Sequence, residues 1–115
     1  YVMSFEELGA FMVAYDIDVA NCSEKELNHE VTKYGRGFAQ AGGVQAAVVN
    51  AIGDKYSNIH IEGLDKKNQA LLKSMAKKPD AQFVEVMACD GGCINGPCSL
   101  APLTLAKRQI KKVLE

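Results

Sequence analysis

Three of the four cysteines in this chain, Cys89, Cys93 and Cys98, fall within ten residues of one another, and Cys22 stands alone. The composition is ordinary for a cytosolic globular protein, and the sequence shows no secretory signal. In that setting, clustered thiols bind metal or carry out redox chemistry more often than they form disulfides. The cysteine cluster is therefore the first candidate for a functional site.

The loop from Cys89 to Cys93 directly follows the apolar segment 83–88, which is predicted to be a strand. Ligands of parallel sheets gather at the carboxyl ends of the strands. Gly91 and Gly92 allow the backbone to turn tightly, so that Cys93 can return toward Cys89. Exposed glycine amides also stabilise a negatively charged cluster. The arrangement indicates half of an iron–sulfur site whose other ligands lie outside this chain.

Spacing alone leaves two alternatives open for Cys89 and Cys93. A structural zinc site needs four ligands, and too few are visible, because His29 and His60 lie far away in sequence. A disulfide or a redox-active pair of thiols requires only the two cysteines. Iron–sulfur, zinc and redox thiols therefore remain in competition at this point.

The 115 residues correspond to one domain, residues 1–115, which we expect to be a fragment of a longer protein because the sequence opens directly on a structured segment. The net charge is −1, with lysine and arginine scattered. We therefore expect no nucleic-acid partner, no membrane association and a cytoplasmic location. The basic residues of the last segment, Lys107, Arg108, Lys111 and Lys112, are interpreted as a solvated helix end that suits the helix dipole, rather than as a docking surface.

The hydrophobic pattern predicts a small α/β domain. Strands are predicted over 59–63 and 83–88. One helix is predicted over 5–15, after the capping box Ser4–Glu7, and another near Leu27, Val31 and Tyr34, after a second box at 23–26. Further helices are predicted over 44–52, over 64–77 and from about Pro102 onward. In the helix over 64–77, the residues expected to face inward are Leu64, Leu71, Leu72 and Met75. Two strands joined by a helix predict a right-handed, parallel βαβ unit flanked by helices.

Three segments together resemble one known family. The stretch 83–96, FVEVMACDGGCING, is similar to the last signature of the iron-only ([FeFe]) hydrogenases, MACPGGCxxGGGQP preceded by FxEV. Residues 1–8 resemble the YVLTxxEL segment of that family, and residues 38–44 resemble its FGxTGGV stretch. The three occur in family order and cover nearly the whole chain.

The resemblance implies a role for particular residues. Cys89 would be a ligand of the [4Fe–4S] part of the active-site H-cluster, and Cys93 a ligand that also bridges to its two-iron centre. Phe38, Val44 and Met87 match positions that line the apolar pocket around that centre.

The resemblance also implies that this chain is one lobe of a catalytic domain. The other cysteines and a lysine of the family's site come from earlier motifs that are absent here, so we expect no complete cofactor in the fragment and no activity from it alone. The implied partners are the remaining lobe of the same polypeptide and a ferredoxin-like electron carrier or signalling domains. Alternatively, the isolated fragment could form a homodimer through its exposed apolar face.

Several positions depart from the family pattern. Asp90 replaces the usual Pro, Ala41 replaces Thr, and residues 97–100, Pro-Cys-Ser-Leu, stand where GGQP is usual. These changes resemble the divergent, sensory members of the family. Cys98 is a candidate extra ligand or proton-relay group, although a small residue filling a glycine position is the slightly favoured interpretation.

Two other hypotheses compete with this one. A thioredoxin-like [2Fe–2S] electron-transfer module also has a Cys-x3-Cys pair after a strand, but it needs two more upstream cysteines, and only Cys22 is available. A non-metal structural or regulatory domain would carry vestigial cysteines.

Overall fold

The computed structural model describes residues 1–26 and 30–115. In these ranges the chain forms helices α1 (Phe5–Ala14), α2 (Lys33–Arg36), α3 (Gly43–Ile52), α4 (Lys66–Met75) and α5 (Leu103–Leu114), and strands β1 (Asn58–Glu62) and β2 (Phe83–Met87). Short 3-10 turns occupy Val19–Asn21, Gly37–Ala39 and Cys93–Asn95. The α/β class predicted from the sequence is confirmed.

Helix α1 begins with the capping box that the sequence predicts. The Ser4 hydroxyl accepts from the Glu7 amide at 3.2 Å, and the Ser4 amide donates to the Glu7 carboxylate at 2.7 Å. Two otherwise unpaired donors are satisfied in this way. No residue of α1 is buried, although its sequence is largely apolar.

The second capping box does not start a helix, so that part of the prediction is wrong. Residues 23–26 have no regular structure, and Leu27 lies outside the described residues. Helix α2 begins later, where the Thr32 side chain accepts from the Gly35 amide at 3.2 Å. A four-residue helix gains little from its own hydrogen bonds, so its position follows the nearest usable cap and tertiary contacts.

The two strands form a parallel sheet, as predicted. The register runs from Asn58 opposite Phe83 to Glu62 opposite Met87, with α4 in the connection. The Asp65 side chain caps α4 by accepting from the Asn68 amide at 2.7 Å. The carboxyl ends of both strands therefore meet at the edge where the cysteine loop begins.

The hydrophobic core is small. Among the described residues, the buried hydrophobic side chains are Ile61 on β1 and Met75 on α4, at 4% and 6% exposure. The prediction that Leu64 and Leu71 face inward is wrong, since both are exposed. Leu64 precedes the N-cap of α4 and is not part of its inner face.

Helix α3 is tied closely to the turn before it. A Cβ on Gly43 would lie 1.9 Å from the Gly37 carbonyl oxygen, so only glycine permits this approach. The helix ends at Gly53, whose φ of 80° closes it as the sequence predicts.

The chain is extended and exposes much apolar surface. Its radius of gyration is 17.1 Å, whereas a compact domain of this length has about 13 Å. Its accessible surface is 8981 Å², against roughly 6,100 Å² for a monomer of this mass. Large apolar side chains on α1, such as Phe11 and Tyr15, are exposed. Such a surface is typical of a region that packs against another partner.

In the described part of the chain, no helix is both long enough and apolar enough to cross a membrane.

Candidate metal centre

The cysteine loop starts at Cys89, two residues after the end of β2, with a tight turn. The Gly92 amide donates to the Cys89 carbonyl at 3.0 Å, which closes a four-residue turn. Gly91 occupies the third position with a φ of 82°, as a type II turn requires. Asp90 occupies the second position, which proline favours in such turns. The family that the sequence resembles usually has proline at this second position.

The turn brings both cysteines to one cleft. This cleft has a volume of about 370 Å³ and is lined by Met3, Ser4, Phe5, Leu8, Met87, Ala88, Cys89, Gly92, Cys93, Gly96 and Pro97. Cys89 is partly buried, whereas Cys93 is exposed. Two cysteine thiols are suitable ligands for an iron–sulfur cluster, because soft thiolates favour such centres. The mainly apolar wall is suitable as well, since the exclusion of water affects the reduction potential of a cluster.

The opening segment of the chain forms one wall of this cleft. Met3, Phe5 and Leu8 come from the start of α1 and the residues before it, while the thiols come from the loop after β2. Two of the three segments that carry the family resemblance are therefore brought together. Sequence separation hides this contact.

The third segment packs against the back of the loop. Gln40 and Gly92 form an antiparallel bridge, and the Ala41 amide donates to the Gly91 carbonyl at 3.1 Å. A Cβ on Gly92 would lie 2.6 Å from the Ala41 amide nitrogen, so the two backbones touch. Because a backbone atom cannot move aside easily, this position requires glycine.

Of the three residues predicted to line an apolar pocket, one borders this cleft. Met87 lines it, whereas Phe38 and Val44 are not among its lining residues. Phe38 is 48% exposed and Val44 is partly buried. Their role as pocket residues in the complete domain stays a prediction.

Glu85 supports the site although the sequence did not predict it as a site residue. Its side chain is 6% exposed, and its carboxylate accepts from the Gly42 amide at 3.1 Å and from the Gln45 amide at 2.8 Å. The carboxylate thus caps the start of α3, where helix amides lack partners and the dipole favours negative charge. The sequence did contain one signal for this role, since Glu85 is the single charged residue of an otherwise apolar strand.

Glu62 holds the cysteine turn from the other strand. Its carboxylate accepts from the Gly91 amide at 2.8 Å. Glu62 ends β1 and Glu85 lies in β2, so adjacent strands fix the two glycine-rich segments of the site. This residue was also missed, because nothing in its local sequence marks it.

The histidines do not join the cysteines in the described residues. His60 is exposed, and its Nδ1 lies 3.1 Å from the Gln45 side-chain oxygen. Gln45 also donates to the Asn58 side chain. His60 borders a separate cavity of about 320 Å³ beside α3. His29 lies outside the described residues.

Cys98 lies beside the start of α1. It is exposed, and its φ of 63° lies in the left-handed region that favours glycine. The Glu6 carboxylate, with smaller effects from desolvation and Glu7, raises the pKa of the Cys98 thiol, and the Ser4 hydroxyl opposes the shift. Cys98 is not a lining residue of the cleft, and Cys22 donates to the Asp18 carbonyl at 3.3 Å elsewhere in the fold.

No group of three or more His, Cys, Asp or Glu residues within 1–26 and 30–115 is arranged to hold a metal ion. Cys89 and Cys93 could therefore supply two ligands, and a cluster with four would need others from outside the described residues.

The chain is similar to proteins of a known family. The family model for the C-terminal domain of the iron only hydrogenase large subunit matches residues 1–97. Iron hydrogenase 1 of Clostridium pasteurianum is 36% identical over 73 residues. That alignment covers 62% of this chain and 13% of the clostridial protein. The matched region ends at Pro97, so α5 lies beyond it. With its two-thiol cleft and this match over most of its length, the chain belongs to the family formed by the C-terminal domain of iron-only hydrogenase large subunits.

Proposed function

We propose that this chain supplies Cys89 and Cys93 as two thiolate ligands of the [4Fe–4S] part of an H-cluster, with Cys93 also bridging to the two-iron centre. The full-length protein would oxidise hydrogen, reduce protons or sense hydrogen. The observation that carries the proposal is the single cleft that Cys89 and Cys93 both line. When bound, the cofactor supplies the hydrogen chemistry.

The residues of the chain have defined tasks in this proposal. Cys89 and Cys93 would hold the iron as deprotonated thiolates. An apolar wall would limit the access of water to the cluster. It is formed by Met3, Phe5, Leu8 and Met87. Removing water strengthens the influence of nearby charges and amides on a bound cluster.

Family membership supports this hypothesis over the two alternatives. A thioredoxin-like [2Fe–2S] module would need two additional thiols near the loop. Cys98 faces Glu6 at the start of α1, and Cys22 bonds to Asp18, so neither lines the cleft. A non-metal domain would leave the pairing of two thiols in one apolar cleft without a role.

The remaining ligands would come from the rest of the same polypeptide. The exposed apolar surface of α1 and of the cleft is suited to packing against that lobe. We further propose a cytoplasmic protein with a ferredoxin-like electron carrier or attached signalling domains as its redox partner.

Infrared spectroscopy of the full-length protein tests the proposal. The protein is reconstituted anaerobically with iron and sulfide, matured with the two-iron centre, and compared with Cys93→Ala and with Cys22→Ala as a matched control. We expect CO and cyanide stretches in the wild type and in Cys22→Ala, and their loss in Cys93→Ala. A bound [4Fe–4S] cluster without these bands, or bands that persist in Cys93→Ala, would refute the H-cluster assignment.

Turnover measurements on the same sample separate enzyme from sensor. Asp90, Ala41 and residues 97–100 surround the site and differ from the family pattern. Hydrogen evolution or uptake at rates typical of enzymes would assign a metabolic role. Hydrogen-dependent spectral changes with very slow turnover would assign a sensory one.

A further inference from the structure

A third cavity lies directly behind the cysteine turn. It has a volume of about 300 Å³ and is lined by Gln40, Ala41, Glu62, Gly91, Lys107, Lys111 and Leu114. We call it the rear cavity. One acidic and two basic residues, Glu62, Lys107 and Lys111, thus share a cavity with Gly91, which lies between the two candidate ligands.

The negative charge of the rear cavity is in direct contact with the turn. The Glu62 carboxylate accepts from the Gly91 amide at 2.8 Å. Gly91 is two residues from Cys89 and two from Cys93, so this hydrogen bond both positions the turn and places a charge beside the proposed cluster.

The positive charge approaches the same glycine. A Cβ on Gly91 would lie 3.4 Å from Cε of Lys107 and 2.5 Å from Cδ1 of Leu103. Helix α5 thus packs its first turns onto Gly91, and the end of the Lys107 side chain lies against the turn. This helix lies beyond the region that matches the family.

The two charges do not cancel by pairing. Glu62 and Lys107 are both described, and no ion pair joins them. Lys111, in contrast, lies 3.7 Å from Glu115, with both side chains largely exposed. Of the two lysines that line the rear cavity, Lys107 therefore has no carboxylate within ion-pair distance among the described residues.

We propose that Glu62 and Lys107 set the reduction potential of the iron–sulfur cluster held by Cys89 and Cys93, and this inference rests on the function proposed above. Reduction adds a negative charge to the cluster. A nearby carboxylate disfavours that charge and lowers the potential, whereas a nearby ammonium group favours it and raises the potential. Glu62 is in addition a positioning residue, because its hydrogen bond holds the turn.

Redox titration tests the proposal on the full-length protein loaded anaerobically with iron and sulfide. The signal is the electron paramagnetic resonance of the reduced cluster. The variants are Glu62→Gln, which removes the charge but keeps an oxygen for Gly91; Lys107→Gln; the double variant; and Lys112→Gln, a cation on the same helix that does not line the rear cavity.

We expect the midpoint potential to rise in Glu62→Gln, to fall in Lys107→Gln and to return toward the wild-type value in the double variant. Lys112→Gln should leave it unchanged. Shifts of one sign for both variants, or an unchanged potential in either, would overturn the proposal while the bound cluster leaves the proposed function intact.

Hydrogen exchange separates the positioning role from the charge. The Gly91 amide should stay protected in Glu62→Gln and lose protection in Glu62→Ala. Equal protection in Glu62→Ala and the wild type would refute the positioning role. Wild-type protein that takes up no iron would refute both the proposed function and the inference that depends on it.

Discussion

The buried carboxylate of Glu85 makes the sharpest prediction about stability. It accepts from the Gly42 and Gln45 amides and links β2 to the start of α3. Glu85→Ala leaves two amides at a helix N-terminus without their partner. Hydrogen bonds to charged groups contribute about 1.5–3 kcal/mol each, and water entering the truncated site recovers part of that. We therefore expect α3 to lose about 3 kcal/mol of local stability.

Hydrogen exchange measured by mass spectrometry on the full-length protein reports this loss. About 3 kcal/mol corresponds to roughly 100-fold faster exchange in α3, since 1.4 kcal/mol is a factor of ten. Glu85→Gln keeps one acceptor oxygen, so we expect roughly a tenfold effect. Helix α4 serves as an internal reference, and the exposed Glu24 provides the control Glu24→Ala.

The refuting result is defined in the same experiment. Protection of α3 in Glu85→Ala within about threefold of wild type would correspond to under about 0.7 kcal/mol. The capping bond would then contribute no more than an ordinary exposed contact. Equal losses in Glu85→Ala and Glu24→Ala would also contradict the reasoning.

Three further predictions concern the cysteine loop and its neighbour. Gly92→Ala should destabilise the loop by at least about 2 kcal/mol more than Gly63→Ala. Both glycines have a positive φ, but only a Cβ on Gly92 would meet backbone atoms. Equal rates of amide hydrogen exchange around the two substituted positions would contradict this. Asp90→Pro should stabilise the turn by about 0.4–1 kcal/mol by restricting the unfolded chain, and a lower thermal midpoint would show that the turn rejects proline. Glu6→Gln should lower the pKa of the Cys98 thiol, because it removes the carboxylate that raises it; alkylation of Cys98 at pH 8 should then be faster, and an unchanged rate would exclude that carboxylate as the cause.

Local patterns predicted the elements well. The capping box at Ser4 involves groups three residues apart, so the residues that specify it are visible together in the sequence. The parallel βαβ unit followed from the alternating segment 59–63, the apolar segment 83–88 and the helix predicted between them. The error near 23–26 occurred where a short segment has too few local interactions to fix its own structure.

The candidate ligands could also be read from the sequence. Cys89 and Cys93 flank glycines at a strand end, and after the observed turn both residues line one cleft. Phe38 and Val44, in contrast, were assigned through family resemblance alone. Their relation to the cofactor depends on packing that the cleft of this chain does not include.

The family, the α/β class and the candidate cysteines could all be inferred before folding was considered, because each is indicated by short segments whose own residues are close together along the chain. The groups that support those cysteines became visible only in the folded chain. Glu85 is 43 residues from Gly42, and Glu62 is 29 residues from Gly91. Such contacts exist only after the strands pair in a particular register and α3 packs against them. A carboxylate in an apolar strand becomes a helix cap, and one at a strand end becomes the support of a turn, because pairing brings each within hydrogen-bonding distance of amides at a helix start or a tight turn.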